Sequence, residues 1–248
     1  MTRRASWTLA AAAPVLLAIA GCGHREKVAY VPPPPPAAQA STYPEAQPPA
    51  RYPEKYPPPR AEEHRYGRPI LTQVGIASWY GPPYNNRRGA NGRIYNENAI
   101  TAANRTLPMG SLIRVTNLRT GQSAMMRITD RGPFVPGRML DLSVGAAKKI
   151  GMYRSGIARV RMDVYQTPTP MYGGRWCVQI GAFRHPGPAK KLEKHLAREY
   201  ETASVIEFEG PTGYWVRIRP ENGNHNRAVE IANNLRPKEG EAYLVRLD

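Results

Sequence analysis

The sequence predicts a small, mainly β barrel followed by an α+β domain, both placed after a long proline-rich segment. Three observations indicate this organisation. Residues 74–166 contain several short stretches in which apolar and polar residues alternate, as in half-buried strands. Residues 175–248 predict the element order β-α-β-β-α-β. The 26 prolines are concentrated before the first of these units, so only part of the 248 residues forms packed core.

The first residues predict export. Arg3 and Arg4 form a positive n-region, and the apolar stretch from Trp7 to Ala20 is short for a transmembrane helix and ends in small residues. Residues 1–21 are therefore predicted to be a signal peptide. The Ile-Ala-Gly-Cys sequence at 19–22 resembles a bacterial lipobox. This resemblance implies cleavage before Cys22 and its lipidation, hence anchoring to a membrane, and Gly23 is of the type that permits sorting to the outer membrane.

Residues 22–73 are predicted to be a solvated linker biased towards polyproline II. At about 3.1 Å per residue, roughly 45 residues would reach about 140 Å when extended. The Tyr-Pro pairs at Tyr43, Tyr52 and Tyr56 are a possible ligand for a proline-recognising partner, but a spacer is favoured. The net charge of +16 indicates an anionic partner without choosing among nucleic acid, phospholipid and an acidic polymer.

The first folded unit is predicted to span 74–166. Its elements are a strand at 75–81, a hairpin with strands at 111–117 and 123–129, a short helix at 142–150 that Ser143 caps and Gly151 ends, and a closing strand at 156–165. Short strands with one short helix predict a small β barrel.

After a loop at 167–174, the second unit is predicted to span 175–248. Its strands are predicted at 176–183, 203–209, 214–219 and 242–247, and its helices at 188–200 and 227–235. RNA-recognition modules share this element order, but the Gly-Phe/Tyr-Gly-Phe stacking signature is absent, and an exported lipoprotein meets no RNA. No nucleic-acid partner is therefore expected.

Cys177 is the only cysteine besides Cys22, so no structural disulfide is expected. Its apolar neighbours favour a buried, inert thiol. Strand alternation favours a different position: if Trp176, Val178 and Ile180 face the core, Cys177 and Gln179 face outwards.

The first unit contains these stretches in order: GIASWYG, ANGRIYN, AITAANRTLPMGSLIRVTNL, RITDRGPF and GRMLDLS. In sequence, order and spacing they resemble the rare lipoprotein A (RlpA) family of septal lytic transglycosylases. This resemblance implies a six-stranded double-psi β-barrel related to that of expansins. It also implies cleavage of the glycosidic bond from N-acetylmuramic acid to N-acetylglucosamine, by attack of the muramic acid 6-hydroxyl on C1, with no cofactor and no metal.

The resemblance also implies which residues form the site. The family's catalytic Asp before Arg-Gly-Pro-Phe is Asp130, but Arg93 stands where the family has Glu, and Asn104 where it has His. Tyr95 is kept, and Asn96 follows it in place of Asp. Arg93 stays protonated and cannot act as an acid or base.

Three interpretations remain open for the chemistry. In the first, Asp130 is the only acid and base, and the neighbouring Arg131 is expected to lower its pKa. In the second, Glu97 or Asp141 substitutes, although Asp141 is interpreted as structural, accepting backbone N–H groups near the helix start. In the third, the barrel binds a carboxylate-bearing glycan without cutting it, through these candidate contacts: Arg93, Asn104, Tyr95, Trp79 and Tyr80. Core packing is the alternative role for Trp79 and Tyr80.

The second unit resembles the sporulation-related repeat (SPOR) domain, through VQIGAF, YWVRIRP and the closing strand, although Arg219 replaces a usual Gly. This resemblance implies binding of septal peptidoglycan, with a preference for strands stripped of stem peptides. Gln179 and Tyr214 are the candidate glycan contacts on the sheet face, and Trp215, Arg217 and Arg219 are weaker alternatives.

Together these features predict an outer-membrane lipoprotein that cleaves peptidoglycan at the septum. Its expected partners are glycan strands, the membrane through the lipid on Cys22, and candidate division-site proteins. The alternative is a wall-binding adaptor that has lost catalysis, because Arg93 and Asn104 replace titratable groups.

Overall fold

The computed structural model describes residues 65–208, 213–238 and 240–248. The predicted signal peptide, Cys22 and the linker up to residue 64 lie outside the described residues. No helix of the described ranges combines the length and the apolar character that a membrane span requires.

Six strands close the first unit into a barrel, in the order β1-β5-β2-β4-β3-β6. They are β1 (Leu71–Tyr80), β2 (Thr101–Ala103), β3 (Leu112–Asn117), β4 (Ser123–Asp130), β5 (Arg138–Ser143) and β6 (Ile157–Gln166). β1 pairs with β5, and β2 with β4, in parallel; the remaining neighbours are antiparallel, and β1 against β6 completes the ring. Since parallel neighbours need a crossover, the site is assembled from segments distant in sequence.

The barrel interior is filled by aliphatic side chains. Fully buried members of this core include Ile113, Val115, Ile128, Leu140, Leu142, Val160, Met162 and Val164. Helix α1 (Val144–Lys149) closes one end and contributes Ala146 and Ala147 to the core. Ser143 caps α1 as predicted, because its hydroxyl accepts a hydrogen bond from the Ala146 N–H at 3.1 Å.

The sequence analysis missed β2 and β5. β2 is only three residues long, which is too short for a period-two pattern to show. β5 ends where the predicted helix begins: residues 142 and 143 belong to the strand, and the helix starts at Val144. β3, β4 and β6 lie where the sequence predicts strands. β1 starts earlier than predicted: Leu71, placed by the sequence in the linker, is its first residue and pairs with Val164 of β6.

The second unit contains a four-stranded antiparallel sheet in the order β10-β7-β9-β8. Its strands are β7 (Trp176–Phe183), β8 (Ser204–Glu207), β9 (Tyr214–Ile218) and β10 (Ala242–Arg246). Helices α2 (Pro186–Leu196) and α3 (His225–Asn234) pack on one face over a core that includes Trp176, Val178, Ile180, Val216 and Ile218. The predicted β-α-β-β-α-β order is therefore confirmed.

Candidate functional site

The candidate site lies at the end of β4, where the strand finishes at Asp130. The Asp130 Oδ1 accepts hydrogen bonds from two main-chain N–H groups, those of Ala90 at 2.9 Å and Arg131 at 2.8 Å. The Ala90 bond fastens the turn at 89–93 over the carboxyl. A Cβ added to Gly89 would lie 3.5 Å from Asp130 Oδ2, so Gly89 borders the second oxygen. One oxygen of the carboxyl is thus held in place by hydrogen bonds, and the other lies beside Gly89.

Burial controls the protonation of Asp130. The pKa of this carboxyl is raised, because desolvation outweighs the hydrogen bonds from Ala90 and Arg131 and the positive charge of Arg131; the nearby Asp141 raises it further. Arg131 lowers the pKa of Asp130 as expected, but the net shift of this pKa is upward because desolvation is the larger effect. A raised pKa keeps a larger fraction of the carboxyl protonated at a given pH, which favours its use as a general acid.

The Arg131 guanidinium points away from the carboxyl. It donates to the main-chain oxygens of Asn104 at 3.1 Å, Leu107 at 2.6 Å and Asp248 at 2.6 Å. Arg131 therefore links the loop after β4 to the C-terminal domain.

Three tyrosine rings pack together close to Asp130. Tyr80 stacks on Tyr95 with ring centroids 4.5 Å apart, and Tyr84 meets Tyr80 edge-on at 5.9 Å. The Tyr95 hydroxyl donates to the Tyr80 main-chain oxygen at 2.8 Å. Burial and the charge of Asp130 raise the pKa of Tyr80, so its phenol remains protonated beside the carboxyl. The stack supplies an apolar surface next to an acid, which suits a sugar ring.

Asp141 is a second carboxyl close to Asp130. Its Oδ1 accepts from the Ser78 hydroxyl at 2.5 Å, and its Oδ2 lies 3.5 Å from an Arg138 guanidinium nitrogen. Burial raises its pKa, while Arg138, Ser78 and Arg105 act in the opposite direction. The interpretation that Asp141 accepts backbone N–H groups at the helix start is wrong, because its partners are side chains and Ser143 caps the helix.

Three predicted site residues lie in other settings. Asn104 is 5% exposed; its Oδ1 accepts the N–H groups of Thr106 and Leu107, and its Nδ2 donates to the Met139 oxygen, so the side chain holds a turn. Arg93 is exposed, and its charge is not among those that shift the pKa of Asp130. The Trp79 ring is tilted against Tyr153, with centroids 4.8 Å apart, and packs against the barrel core.

Glu97, the other candidate acid, lies beside Gly81, since a Cβ added to Gly81 would be 3.5 Å from Glu97 Oε2. Its main-chain N–H donates to Asn85, and within the described ranges its buried Oε2 has no hydrogen-bond partner. Its charge affects Tyr95 but is not among the charges that shift the pKa of Asp130. Asp130 and Asp141 are therefore the carboxyls that the fold brings together.

The glycan candidates of the second unit separate onto two sides of the sheet. Tyr214 packs against the core under the helices. Gln179 lies on the opposite face, is only 4% exposed, and accepts a hydrogen bond from Arg217 at 2.8 Å. Cys177 shares that face and is fully buried, so both sequence arguments hold in part: the thiol faces away from the helices, yet it is covered.

Sequence reasoning missed Tyr84 and the Ala90 N–H. Tyr84 stands in the irregular segment after β1, where no periodicity predicts the direction of a side chain. The Gly89-Ala90 pair was a detectable turn signal, but its contact with residue 130 joins segments 40 residues apart. Within the described residues no group of three or more His, Cys, Asp or Glu is arranged to hold a metal ion.

Comparison with known proteins defines the class of both units. Residues 72–162 match the family model described as lytic transglycolase, and residues 172–246 match that of the SPOR domain. The barrel is a double-psi β-barrel of this kind, followed by a SPOR domain.

The named relatives agree with this class. The chain is 59% identical over 92 residues to a probable endolytic peptidoglycan transglycosylase RlpA of Synechocystis, covering 37% of this chain and 29% of that protein. It is 40% identical over 167 residues to the endolytic peptidoglycan transglycosylase RlpA of Campylobacter jejuni, covering 57% and 61%. With RlpA of Pasteurella multocida the identity is 52% over 92 residues, covering 37% and 31%. The barrel and the SPOR domain are therefore similar in sequence to proteins named RlpA.

The match spans less than two thirds of each of these relatives. Among solved structures, the expansin of Clavibacter michiganensis matches with a TM-score of 0.34 and 15% identity, covering 71% of this chain and 90% of the expansin. A TM-score of that size adds nothing to the fold assignment.

The raised pKa of Asp130 makes a prediction about stability. The folded state holds this proton more tightly than the unfolded chain, whose Asp pKa is about 3.9. Wild-type stability therefore falls relative to Asp130→Asn as the pH rises from the ordinary Asp pKa through the raised one. Paired thermal unfolding at pH about 3 and about 7 should show a larger stability advantage for Asn at the higher pH. A difference that shrinks would contradict the raised pKa.

Proposed function

We propose that the chain is a lytic transglycosylase that cleaves the bond from N-acetylmuramic acid to N-acetylglucosamine in peptidoglycan. The observation that carries the proposal is the Asp130 carboxyl: it has a raised pKa, one oxygen is fixed by two N–H groups, and a tyrosine stack adjoins it. The names of the relatives support the same reaction class.

The reaction requires one proton donor and one proton acceptor, used in turn. Protonated Asp130 donates its proton to the glycosidic oxygen as the bond from that oxygen to C1 of muramic acid breaks. The resulting carboxylate then takes the proton of the muramic acid 6-hydroxyl as that oxygen bonds to C1. The products are a 1,6-anhydro sugar and a free 4-hydroxyl, and Asp130 regains its proton. No water is consumed, so one carboxyl is sufficient.

Neighbouring groups support this cycle. Asp141 disfavours the ionised form of Asp130 before the first step, whereas the two N–H groups stabilise the carboxylate after it. Exposed Arg87, Arg88 and Arg93 make the loop over the carboxyl cationic, which favours a strand carrying lactyl carboxylates. The lost Glu and His of the family motif are then not required for proton transfer.

A second function is glycan binding without cleavage. It is favoured by Asn104, whose oxygen and amide hydrogen bond within the barrel and provide no acid or base. In both cases we infer a lipoprotein anchored through Cys22 to the periplasmic face of the outer membrane and enriched at the septum, where division-site proteins are candidate partners.

Mass spectrometry of digested glycan separates the two functions. Residues 65–248, which include both domains, are incubated with sacculi with and without stem peptides. Anhydro-muramic acid ends that increase with time establish cleavage. Co-sedimentation with sacculi but no released product from pH about 5 to about 8 establishes the binder, and failure to co-sediment excludes both functions.

A further inference from the structure

The face of the C-terminal sheet that is not covered by helices is nevertheless buried. Side chains that alternate with the helix-side core point to this face: Cys177, Gln179, Trp215, Arg217, Tyr243 and Val245. Trp215 is 3% exposed, Tyr243 6% and Val245 1%. A sheet with helices on one side usually leaves its other face in water, so another part of the chain must cover it.

The barrel loop that follows Asp130 covers this face. The Phe134 ring lies between two aromatic rings, 4.7 Å from Trp215 and 5.8 Å from Tyr243. The Arg105 guanidinium lies 5.1 Å from the centre of the Tyr243 ring. We call the segment 131–134 the cover loop. Its aromatic side chain covers the rings of Trp215 and Tyr243.

Main-chain contacts fix the same arrangement. The Arg246 N–H donates to the Arg105 oxygen at 2.9 Å, and Arg131 donates to the Asp248 oxygen at 2.6 Å. Residues 167–175 join the last barrel strand to the first strand of the sheet. So short a connection keeps the loop at a high effective concentration near the sheet, which favours closure even when each contact is weak.

The covered face carries the guanidinium groups of Arg131 and Arg217, whose hydrogen bonding within the described residues is incomplete. Burial and the nearby Arg246 lower the pKa of Arg131 to about 10, and burial lowers the pKa of Arg217. In the described part of the chain no acceptor lies within hydrogen-bond distance of the buried Nε of either residue. Arg219 is exposed and directly follows the last residue of β9. A ligand with sugar rings and carboxylates matches this combination of aromatic and guanidinium groups.

We propose that the sheet face is a glycan-binding surface that the barrel's cover loop keeps closed, so that a carboxylate-bearing glycan strand and the barrel compete for it. This inference rests on the proposed action on peptidoglycan. Because the cover loop begins next to Asp130, displacing it also frees the segment that carries the catalytic carboxyl. Glycan binding by the C-terminal domain is thereby coupled to the candidate site at Asp130 in the barrel.

Two substitutions open the contact from the barrel side. Phe134→Ala removes the ring between Trp215 and Tyr243, and Arg105→Ala removes the cation over Tyr243. Phe208→Ala is the matched control, because Phe208 is an exposed aromatic of the C-terminal domain. All variants are made in residues 65–248 with Asp130→Asn, so that glycan is not consumed. Calorimetry checks that each variant is folded.

Cys177 reports opening without any ligand. It is the only thiol in residues 65–248, it is fully buried, and burial raises its pKa to about 11, so modification by a maleimide should be slow in the closed form. We expect both opening variants to react faster. Their affinity for sacculi stripped of stem peptides should rise about two- to tenfold, since apparent affinity scales with the open fraction. The control should change neither quantity.

The rate of Cys177 modification and the affinity for glycan together show which part of the proposal has failed. Rapid modification of Cys177 without the opening substitutions would show that the face is not covered and would overturn the proposal. Faster modification with unchanged glycan affinity would show that glycan binds elsewhere and would overturn it equally. Faster modification with no glycan binding by any variant would overturn the proposed function, and the competition with it, while leaving the contact between the domains established.

Discussion

Asp130→Asn is expected to reduce the release of 1,6-anhydro products by at least about 100-fold, because a single carboxyl performs both proton transfers. Asparagine keeps an oxygen that accepts the N–H groups of Ala90 and Arg131, so the turn over the site should stay in place. The loss therefore reports proton transfer and not folding. The measurement is the initial rate of formation of anhydro ends, followed by mass spectrometry.

Two comparison variants complete this experiment. Glu201→Gln removes an exposed carboxyl of the C-terminal domain and should leave the rate unchanged. Asp141→Asn removes the negative charge that raises the pKa of Asp130, so the fall in rate at high pH should begin at a lower pH. If Asp130→Asn still forms product at the wild-type rate, a residue other than Asp130 must be the general acid.

Ile128→Ala is expected to lower the free energy of unfolding of the barrel by about 2–5 kcal/mol. Ile128 is fully buried in β4, two residues before Asp130, and packs in the closed core. Truncation removes apolar contacts and leaves a cavity that a ring of paired strands cannot easily close. Calorimetry should show the barrel transition at a lower temperature and the C-terminal transition little changed.

Ile94→Ala is the matched control for this substitution. Ile94 is 59% exposed on the loop over the site, so its truncation should change stability by no more than about 0.5 kcal/mol. Equal destabilisation by both substitutions would contradict the position of Ile128 in the core.

The sequence predicted most strands because alternation of apolar and polar residues directly reports a half-buried strand. β3, β4 and β6 have this pattern, and so do β8 and β9 of the second domain. β2 and β5 escaped because pairing with distant strands defines them, and the local pattern does not. The family resemblance implied a six-stranded double-psi β-barrel, whereas the pairing and order of the individual strands come from the structure.

The candidate site was predicted unevenly for a similar reason. Asp130 stands in a distinctive run and lies at the site, but burial reverses the expected direction of its pKa shift, and burial depends on the tertiary structure. Asn104 shows the opposite case: a motif position suggested ligand binding, whereas its hydrogen bonds hold the backbone. The covered sheet face was not foreseen, since strand alternation assigns a face and does not indicate what lies against it.

The pairing of β1 with β6 has a consequence for folding. Leu71 pairs with Val164 and Ser78 with Ile157, so the first strand finds this partner only after nearly the whole unit has been synthesised. Bringing such distant segments together has an entropic cost before any contact compensates for it, and domains rich in distant contacts fold slowly. The nascent barrel segment must therefore stay open until its last strand emerges, and a chain that stops before residue 157 leaves the edges of β1 and β3 unpaired and prone to aggregate.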